Sequence, residues 1–451
     1  MGQRLTALRL IETLMAAVII VMMSNALIGP VLDPLQVGGD SNPILRLMWL
    51  PVYGLTAVLA ALRFPQVMRF WLPAAIIFLL VGWTFASVTW SIFPEISQRR
   101  AIAVAATTLF GLYLAASFNG RQMAELLAGT FLFLAIGSYF VCIAVPSIGV
   151  HSDVNAGLWR GLWYEKNQMG AMMVYGALAC VAAAITSPRR RFLWLGTLVL
   201  CIGLIVMTRS ATSALALAIV LFGAAGLAFM QRGPAATVFA IWGGVAAVLL
   251  LGGFFFLAPD AFYHAIGKDP SLTGRTEIWA AVERASDKRP LLGYGFAAFW
   301  DINSPPAKWI RDQLQWVVPT AHNGWLDLKI QLGQIGVALF ASVLATAWIA
   351  AIFRHRRLQD GYFAILFLAV YSLTIMSESF ILAHNSLPWV LTVAAMARVM
   401  GPRPAPEVSD LPVPATARDL RLAEPWSPPV EVWEPPPLAP VFGRRSGFSP
   451  T

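Results

Sequence analysis

Charge is scarce in this chain. Asp and Glu together number 23 of 451 residues, and charged residues of both signs make up 12%, against roughly 25% in soluble domains. That scarcity argues against a soluble fold. It also leaves no aspartate cluster for magnesium, and neither the paired acids nor the HExxH signature that an intramembrane hydrolase would need. Cysteine is equally rare. Cys142, Cys180 and Cys201 all lie inside apolar runs, without CxxC or Cys/His spacing, so neither zinc nor a disulfide framework is expected. Histidine occurs only five times, which gives each imbalance of its placement more weight.

Apolar residues dominate instead, at 58%. Runs near 10–29, 44–62, 71–90, 101–118, 125–146, 168–186, 192–208, 213–230, 236–258, 323–350, 362–381 and 386–400 approach the roughly 20 residues that carry a helix across about 30 Å of hydrocarbon. The expectation is an all-α polytopic membrane protein with about twelve transmembrane helices. A net charge of +9 could suggest nucleic acid, yet the arginines follow topology. Arg4, Arg9, Arg63, Arg69, Arg121, Arg189 to Arg191, Arg232, Arg354, Arg356 and Arg357 occupy alternate short loops, which the positive-inside rule assigns to the cytoplasm along with both termini. The first run loosely resembles a signal peptide ending in "SNALIG", but its length and the spans behind it favour an uncleaved helix.

Of the outward loops, only 259–321 is long. Within it "SLTGRTEIWAAVERASDKRP" reads as a helix capped by Thr273 and stopped by Pro290. Glycines in "LLGYGF" permit a bend, and "PPAKWIRDQLQWVVP" offers a second amphipathic helix with Trp309, Ile310, Gln313, Leu314 and Val317 near one face. The aromatic residues suit the headgroup layer, so the loop is expected to lie on the membrane surface. Residues 1–400 form the membrane domain. From 401 to 451 prolines recur and apolar runs stop, the composition of a disordered cytoplasmic tail. No paired broken helices of the transporter kind are evident.

Polar residues beside membrane spans are costly and need a reason. They gather on the outward side. Arg209 in "MTRSATS" sits between two spans in a loop too short to be a spacer, on the side where positive charge is not expected. "LWRGLWYEKNQMG" sets Arg160, Glu165 and Lys166 among aromatics immediately before a span. Arg275 falls in the first turn of its helix, where a cation opposes the macrodipole but could join backbone N–H groups in seating a phosphate. His322 lies at the start of a helix that places 326 and Lys329 on its own face. A neutral imidazole there can take a proton from an attacking hydroxyl, and nearby cations favour the neutral form. A second "AHN" at Ala383 to Asn385 follows Glu378, which could orient an imidazole or pair with an arginine. Arginines with few acids suit a diphosphate that must be held and must leave as an anion, and the surrounding Trp and Tyr suit sugar rings. The donor implied is a glycan on a lipid diphosphate.

The ordered pieces "SVTWSIFPEISQRRA", "WRGLWYEKNQMGA", "MTRSATS", "LTGRTEIW" followed by "PLLGYGFAAF", and "AHNGWLDLKIQLGQIG" together resemble the O-antigen ligase and Wzy-type (ExoQ-like) polysaccharide polymerase superfamily of bacterial inner-membrane proteins. The resemblance runs from about residue 85 to 390. It implies a multi-helix glycosyltransferase with a large periplasmic loop, which moves an undecaprenyl-diphosphate-linked oligosaccharide onto an acceptor hydroxyl without metal or other cofactor. It assigns the diphosphate to Arg209 and Arg275 and acceptor activation to His322; Arg160, Lys166 and Glu378, singled out from their placement alone, are second-tier candidates for substrate contact. "WYEKNQMG" looks more like the exopolysaccharide polymerase branch, where the acceptor is another lipid-linked repeat and export or chain-length proteins would be partners. The alternatives are a ligase using the lipid A core, and a transporter of the same glycan. A transporter should line a path through the membrane with polar groups, whereas these collect at the outer ends of spans.

Overall fold

The computed structural model describes residues 2–28, 43–152, 155–257, 275–315, 318–354 and 361–401. The Pro-rich tail beyond them, the Thr273 cap and Val317 lie outside the described residues. All regular structure among the described residues is helical, apart from one isolated bridge between Val150 and Trp159. Each of the twelve apolar runs falls on a helix. The helices in chain order begin with α1 (Gly2–Met23), α2 (Pro43–Leu62), the short α3 (Phe64–Met68), α4 (Ala75–Ala86), α5 (Pro94–Ser117), α6 (Gly120–Ala144), the single turn α7 (Pro146–Gly149) and α8 (Lys166–Thr186). They continue with α9 (Arg191–Thr208), α10 (Ala211–Met230) and α11 (Pro234–Leu257). After the long loop, which carries α12 (Arg275–Ser286) and α13 (Pro305–Leu314), come α14 (Gly324–Arg354), α15 (Gly361–Thr374) and α16 (Leu387–Met400). Among the described residues six helices are long and apolar enough to cross a membrane: α5, α6, α8, α9 with the turn before it, α10 and α14. The chain is a multi-pass membrane protein.

The helices pack through small and aromatic residues into one core that includes Phe110, Phe131, Tyr175, Phe367 and Trp389. At one end of the bundle, basic side chains meet acids or unsatisfied helix carbonyls. Glu12 accepts hydrogen bonds from Arg9 (2.7 Å), Arg63 Nε (2.8 Å) and Tyr113 (2.9 Å). Glu125 pairs with Arg121 and Arg190, each at 3.3 Å, while Arg398 donates to the carbonyl of Phe118 just beyond the last turn of α5. Arginine at a helix C-terminus satisfies carbonyls that have no intrahelical donor. This end carries the arginines of the loops that the sequence assigns inward.

The opposite end is more irregular. Helix α5 starts at Pro94, a residue suited to the first helical position, so Arg99 and Arg100, which fall between the apolar runs 71–90 and 101–118, belong to a helix rather than to a connecting loop. Helix α14 is broken at Gly333, whose φ of 67° and ψ of −171° are not helical. The "LLGYG" strand of chain runs directly against this break. Tyr294 N–H donates to Ile330 O (2.9 Å), Gly295 N–H to Gln331 O (2.9 Å) and Gln334 N–H to Pro290 O (2.9 Å). A broken helix at membrane depth is tolerated where protein takes up the freed backbone groups, and the glycine-rich loop does that here. With the first half of α14, α12 and α13 enclose a second small core of Ile278, Val282, Phe299, Ile310 and Ile330 among others. Trp309, expected on the apolar face of α13, is instead 40% exposed and lies beneath Arg284 and Lys288, each 5.7 Å from its ring centroid.

Candidate functional site

His322 occupies a left-handed turn, φ 48°, two residues before α14 begins. Asn323 starts that helix by accepting the N–H groups of Trp325 (3.0 Å) and Leu326 (3.3 Å) through its side chain, as an N-cap does. The reading that set His322 in the helix above Lys329 is therefore corrected: the Asn cap puts the histidine outside the first turn, and Lys329 pairs with Glu283 of α12. Gly324 is set against the end of α15, with its N–H donating to Ile375 O (2.8 Å), and an added Cβ would meet Ile381 Cγ1 at 3.0 Å, a tight contact. Trp279 of α12 donates to the carbonyl of Ala321 (2.9 Å). Three elements thus fix the turn that bears the imidazole.

Arg275, at the described start of α12, reaches the turn after α15. Its Nη1 donates to Ser377 O (3.0 Å), and its Nη2 stands 3.9 Å from Glu378 Oε1. Burial, with the Arg275 guanidinium acting in the same direction, lowers the His322 ring from the ordinary 6.5 to about 4. The ring is neutral near pH 7. Burial also raises Glu378 to about 7, against the pull of Arg275 and with the push of nearby Glu165. Glu165 in turn lies 3.8 Å from the buried His151 ring. His322, Arg275, Glu378 and Glu165 thus share one electrostatic neighbourhood built from four separate segments.

Arg209 terminates α9 in a left-handed conformation, φ 49°. Its guanidinium is exposed and makes no hydrogen bond or ion pair among the described residues. The next helix packs beside it on α8, where a Cβ on Gly170 would meet Ser213 Oγ at 2.4 Å and Thr208 Oγ1 at 3.4 Å. Thr208, the residue before Arg209, thus lies beside Gly170, one turn into α8, whose first residue Lys166 donates its N–H to His151 Nε2 (3.3 Å). Arg160 is otherwise engaged: it donates to Ile148 O (2.8 Å) and Ser147 O (3.3 Å), holding its own loop together. Among the described residues no three His, Cys, Asp or Glu side chains gather to hold a metal ion.

Sequence reading passed over Asp327. Its buried carboxylate accepts from Trp300 Nε1 (2.6 Å), Ala321 N–H (3.1 Å) and the Ser379 hydroxyl. It ties the long loop, the residue before His322 and the residue after Glu378 to one point. The available signal was an acid one turn into a membrane span, within the same stretch as His322. His384 was noted only as part of the second "AHN". Its ring meets Arg100, and burial with that guanidinium pushes it well below the usual histidine range.

A multi-helix membrane protein with a histidine, two arginines and a carboxylate drawn to one end is the class that this fold and geometry define. Residues 196–341 match the O-Antigen ligase family model, a span that contains Arg209, Arg275 and His322. The chain is also 26% identical over 317 residues, 66% of its length and 70% of the relative's, to "Exopolysaccharide production protein ExoQ" of Rhizobium meliloti (strain 1021). Both matches support the resemblance to the O-antigen ligase and Wzy-type superfamily, a glycosyltransferase-like group of polysaccharide ligases and polymerases.

Proposed function

We propose that the chain is an exopolysaccharide polymerase, an inverting, metal-independent glycosyltransferase that joins undecaprenyl-diphosphate-linked oligosaccharides at the periplasmic face of the bacterial inner membrane. The observation that carries the reading is the neutral His322 ring held in a strained turn beside Arg275. The acceptor hydroxyl oxygen attacks the anomeric carbon of the donor, and its proton passes to His322. The bond from that carbon to the diphosphate breaks, and the electron pair leaves on the diphosphate oxygen, where Arg209 and Arg275 stabilise it.

An imidazole near 4 is a weak base in the empty site. The negative diphosphate offsets the Arg275 charge and favours the imidazolium, so the ring becomes a better base once donor is bound. Glu378 serves as counter-ion to Arg275 in the empty site, and Lys166 is a further substrate contact. With α1 and the five shorter apolar helices counted beside the six long ones, twelve spans follow, and the arginine-rich end with both termini faces the cytoplasm.

The similarity to a protein named for exopolysaccharide production favours polymer growth over transfer to the lipid A core. The test is reconstitution of purified protein with lipid-linked repeats. Longer glycans should appear without a gradient, and His322→Ala should abolish them at unchanged protein abundance. Normal polymer length in that variant removes the proposal, and movement of glycan across the bilayer without elongation supports the transporter instead.

A further inference from the structure

Charged and amide side chains of α14 stop at its break. Asp327, Lys329, Gln331 and Gln334 precede Ile335, and residues 335–353 carry no charge. At about 1.5 Å per residue that second half is close to 30 Å long, enough to cross the hydrocarbon by itself. Gly333 then stands at the outward edge of the apolar layer, and residues 324–332 raise the turn of His322 about 14 Å above it. Two tryptophans mark the same level. Trp83, in the last turn of α4, donates to Leu332 O (3.3 Å), and Trp90 donates to Leu292 O (2.9 Å), with the two rings 5.1 Å apart. Indoles gather where hydrocarbon gives way to headgroups.

The chain that packs on the break changes character at this level. Arg284, Lys288 and Arg289 are exposed, opposed within 284–292 by Asp287 alone. Aromatic rings hold the cations in place: Arg284 and Lys288 lie over Trp309, and Arg289 is 5.0 Å from the Tyr294 centroid. Just beyond, Leu291 and Leu292 are 59% and 39% exposed, beside Ile335 at 37%, whose N–H donates to Leu291 O (3.4 Å). Positive charge thus passes into bare apolar surface within one short stretch.

We propose that residues 284–292 seat an anionic phospholipid of the periplasmic leaflet, with its phosphate on Lys288 and Arg289 and its acyl chains along Leu291, Leu292 and Ile335. An acidic glycan would satisfy the cations and the indole but leave the leucines in water, whereas a lipid covers both. The seat does not depend on the reaction assigned to His322. Its consequence is positional: α12 leads from this seat back to Arg275, and Trp279 of the same helix holds the carbonyl of Ala321. The headgroup layer therefore sets the height of the His322 turn above the apolar layer.

The experiment uses the full-length protein in phosphatidylcholine nanodiscs with a trace of a lipid probe, phosphatidylglycerol or phosphatidylcholine, carrying a diazirine near the ester end of one acyl chain. Photolysis should place adducts on Leu291, Leu292 or Ile335. With two cations each contributing about fivefold, the phosphatidylglycerol probe should outlabel the other by about 25-fold. Lys288→Gln should cut that excess to about fivefold, and Lys288→Gln with Arg289→Gln should bring it near parity. Melting temperatures are measured beside each, since Arg289 also donates to Trp90 O; if the double variant melts early, Lys288→Gln alone decides. Equal labelling by the two probes in the wild type overturns the proposal, as do adducts confined to other segments or an undiminished excess in Lys288→Gln. Equal labelling together with salt-sensitive binding of polygalacturonate that Lys288→Gln abolishes would assign the surface to an acidic glycan and overturn it as well.

Discussion

Asp327 and Ser379, one on the first turn of α14 and the other in the turn after α15, are joined by a hydrogen bond from the serine hydroxyl to the carboxylate. The same carboxylate accepts the N–H of Ala321, so the neighbours of His322 and Glu378 share one acceptor. Asp327→Ala leaves these donors and Trp300 Nε1 without a partner in a buried place, at about 1–3 kcal/mol each, and the variant should accumulate poorly. Asp327→Asn keeps an acceptor oxygen for Trp300 and Ala321 and can donate to the Ser379 oxygen. It should fold, bind donor normally and lose about 10- to 100-fold in kcat, because a displacement near 1 Å of a reacting group costs that much. A split between KM and kcat in reconstituted protein checks it; parallel loss of donor affinity would make Asp327 a merely structural acid.

Two side chains assigned to the chemistry, Arg209 and His322, occupy the left-handed region at φ 49° and 48°. That conformation costs a non-glycine residue about 1 kcal/mol or more. Arg209→Gly should therefore leave thermal stability unchanged or raise it by up to about 1 kcal/mol, while donor binding falls sharply. His322→Asn, which tolerates the same backbone, should retain the melting temperature and lose polymer formation. A loss of stability in both would show that the strain is not where the structure puts it.

Much of this was legible in the sequence because membrane spans announce themselves by length and hydropathy. All twelve apolar runs coincide with helices, and the polar residues singled out lie at or beside helix ends. What was illegible depends on contacts between distant segments. Periodicity alone carried α14 through Gly333, because only the approach of "LLGYG" supplies partners for the freed backbone. His322 was drawn into a helix that the Asn323 cap begins later. Arg160 looked like a substrate contact, and nothing local shows that its guanidinium is turned back onto Ile148 and Ser147. Asp327 reads as an ordinary first-turn acid until Ser379 and Trp300 are placed beside it.

The break in α14 makes its own prediction. At Gly333 the backbone conformation is one that only glycine adopts without strain, and an added Cβ would lie 2.1 Å from Leu291 O. Gly333→Ala should lower stability by at least about 2 kcal/mol, combining strain of about 1–3 kcal/mol with displacement of the loop. Unfolding in detergent, followed by tryptophan fluorescence, measures it. Wild-type stability in this variant would mean that α14 runs straight.

Glu378 gives a pH dependence whose sign follows from its raised pKa. Burial brings it to about 7, so near neutrality it is about half protonated. Its ionised form both competes for Arg275 and repels a diphosphate; its protonated form does neither. Binding of the anionic donor raises this pKa further and takes up a proton. Donor affinity should consequently weaken as pH rises through about 7 and strengthen as it falls, until His322 or the diphosphate itself titrates. Glu378→Gln, permanently neutral, should bind donor at about pH 8 as the wild type does at about pH 6, and its affinity should be flat between them. His322 adds a second mark: donor raises its pKa, so the acid limb of kcat should lie at higher pH than the acid limb of kcat/KM, which reports the free enzyme. Isothermal titration of undecaprenyl diphosphate in two buffers of different ionisation enthalpy would count the proton directly, and zero uptake near pH 7 would remove Glu378 from the donor site.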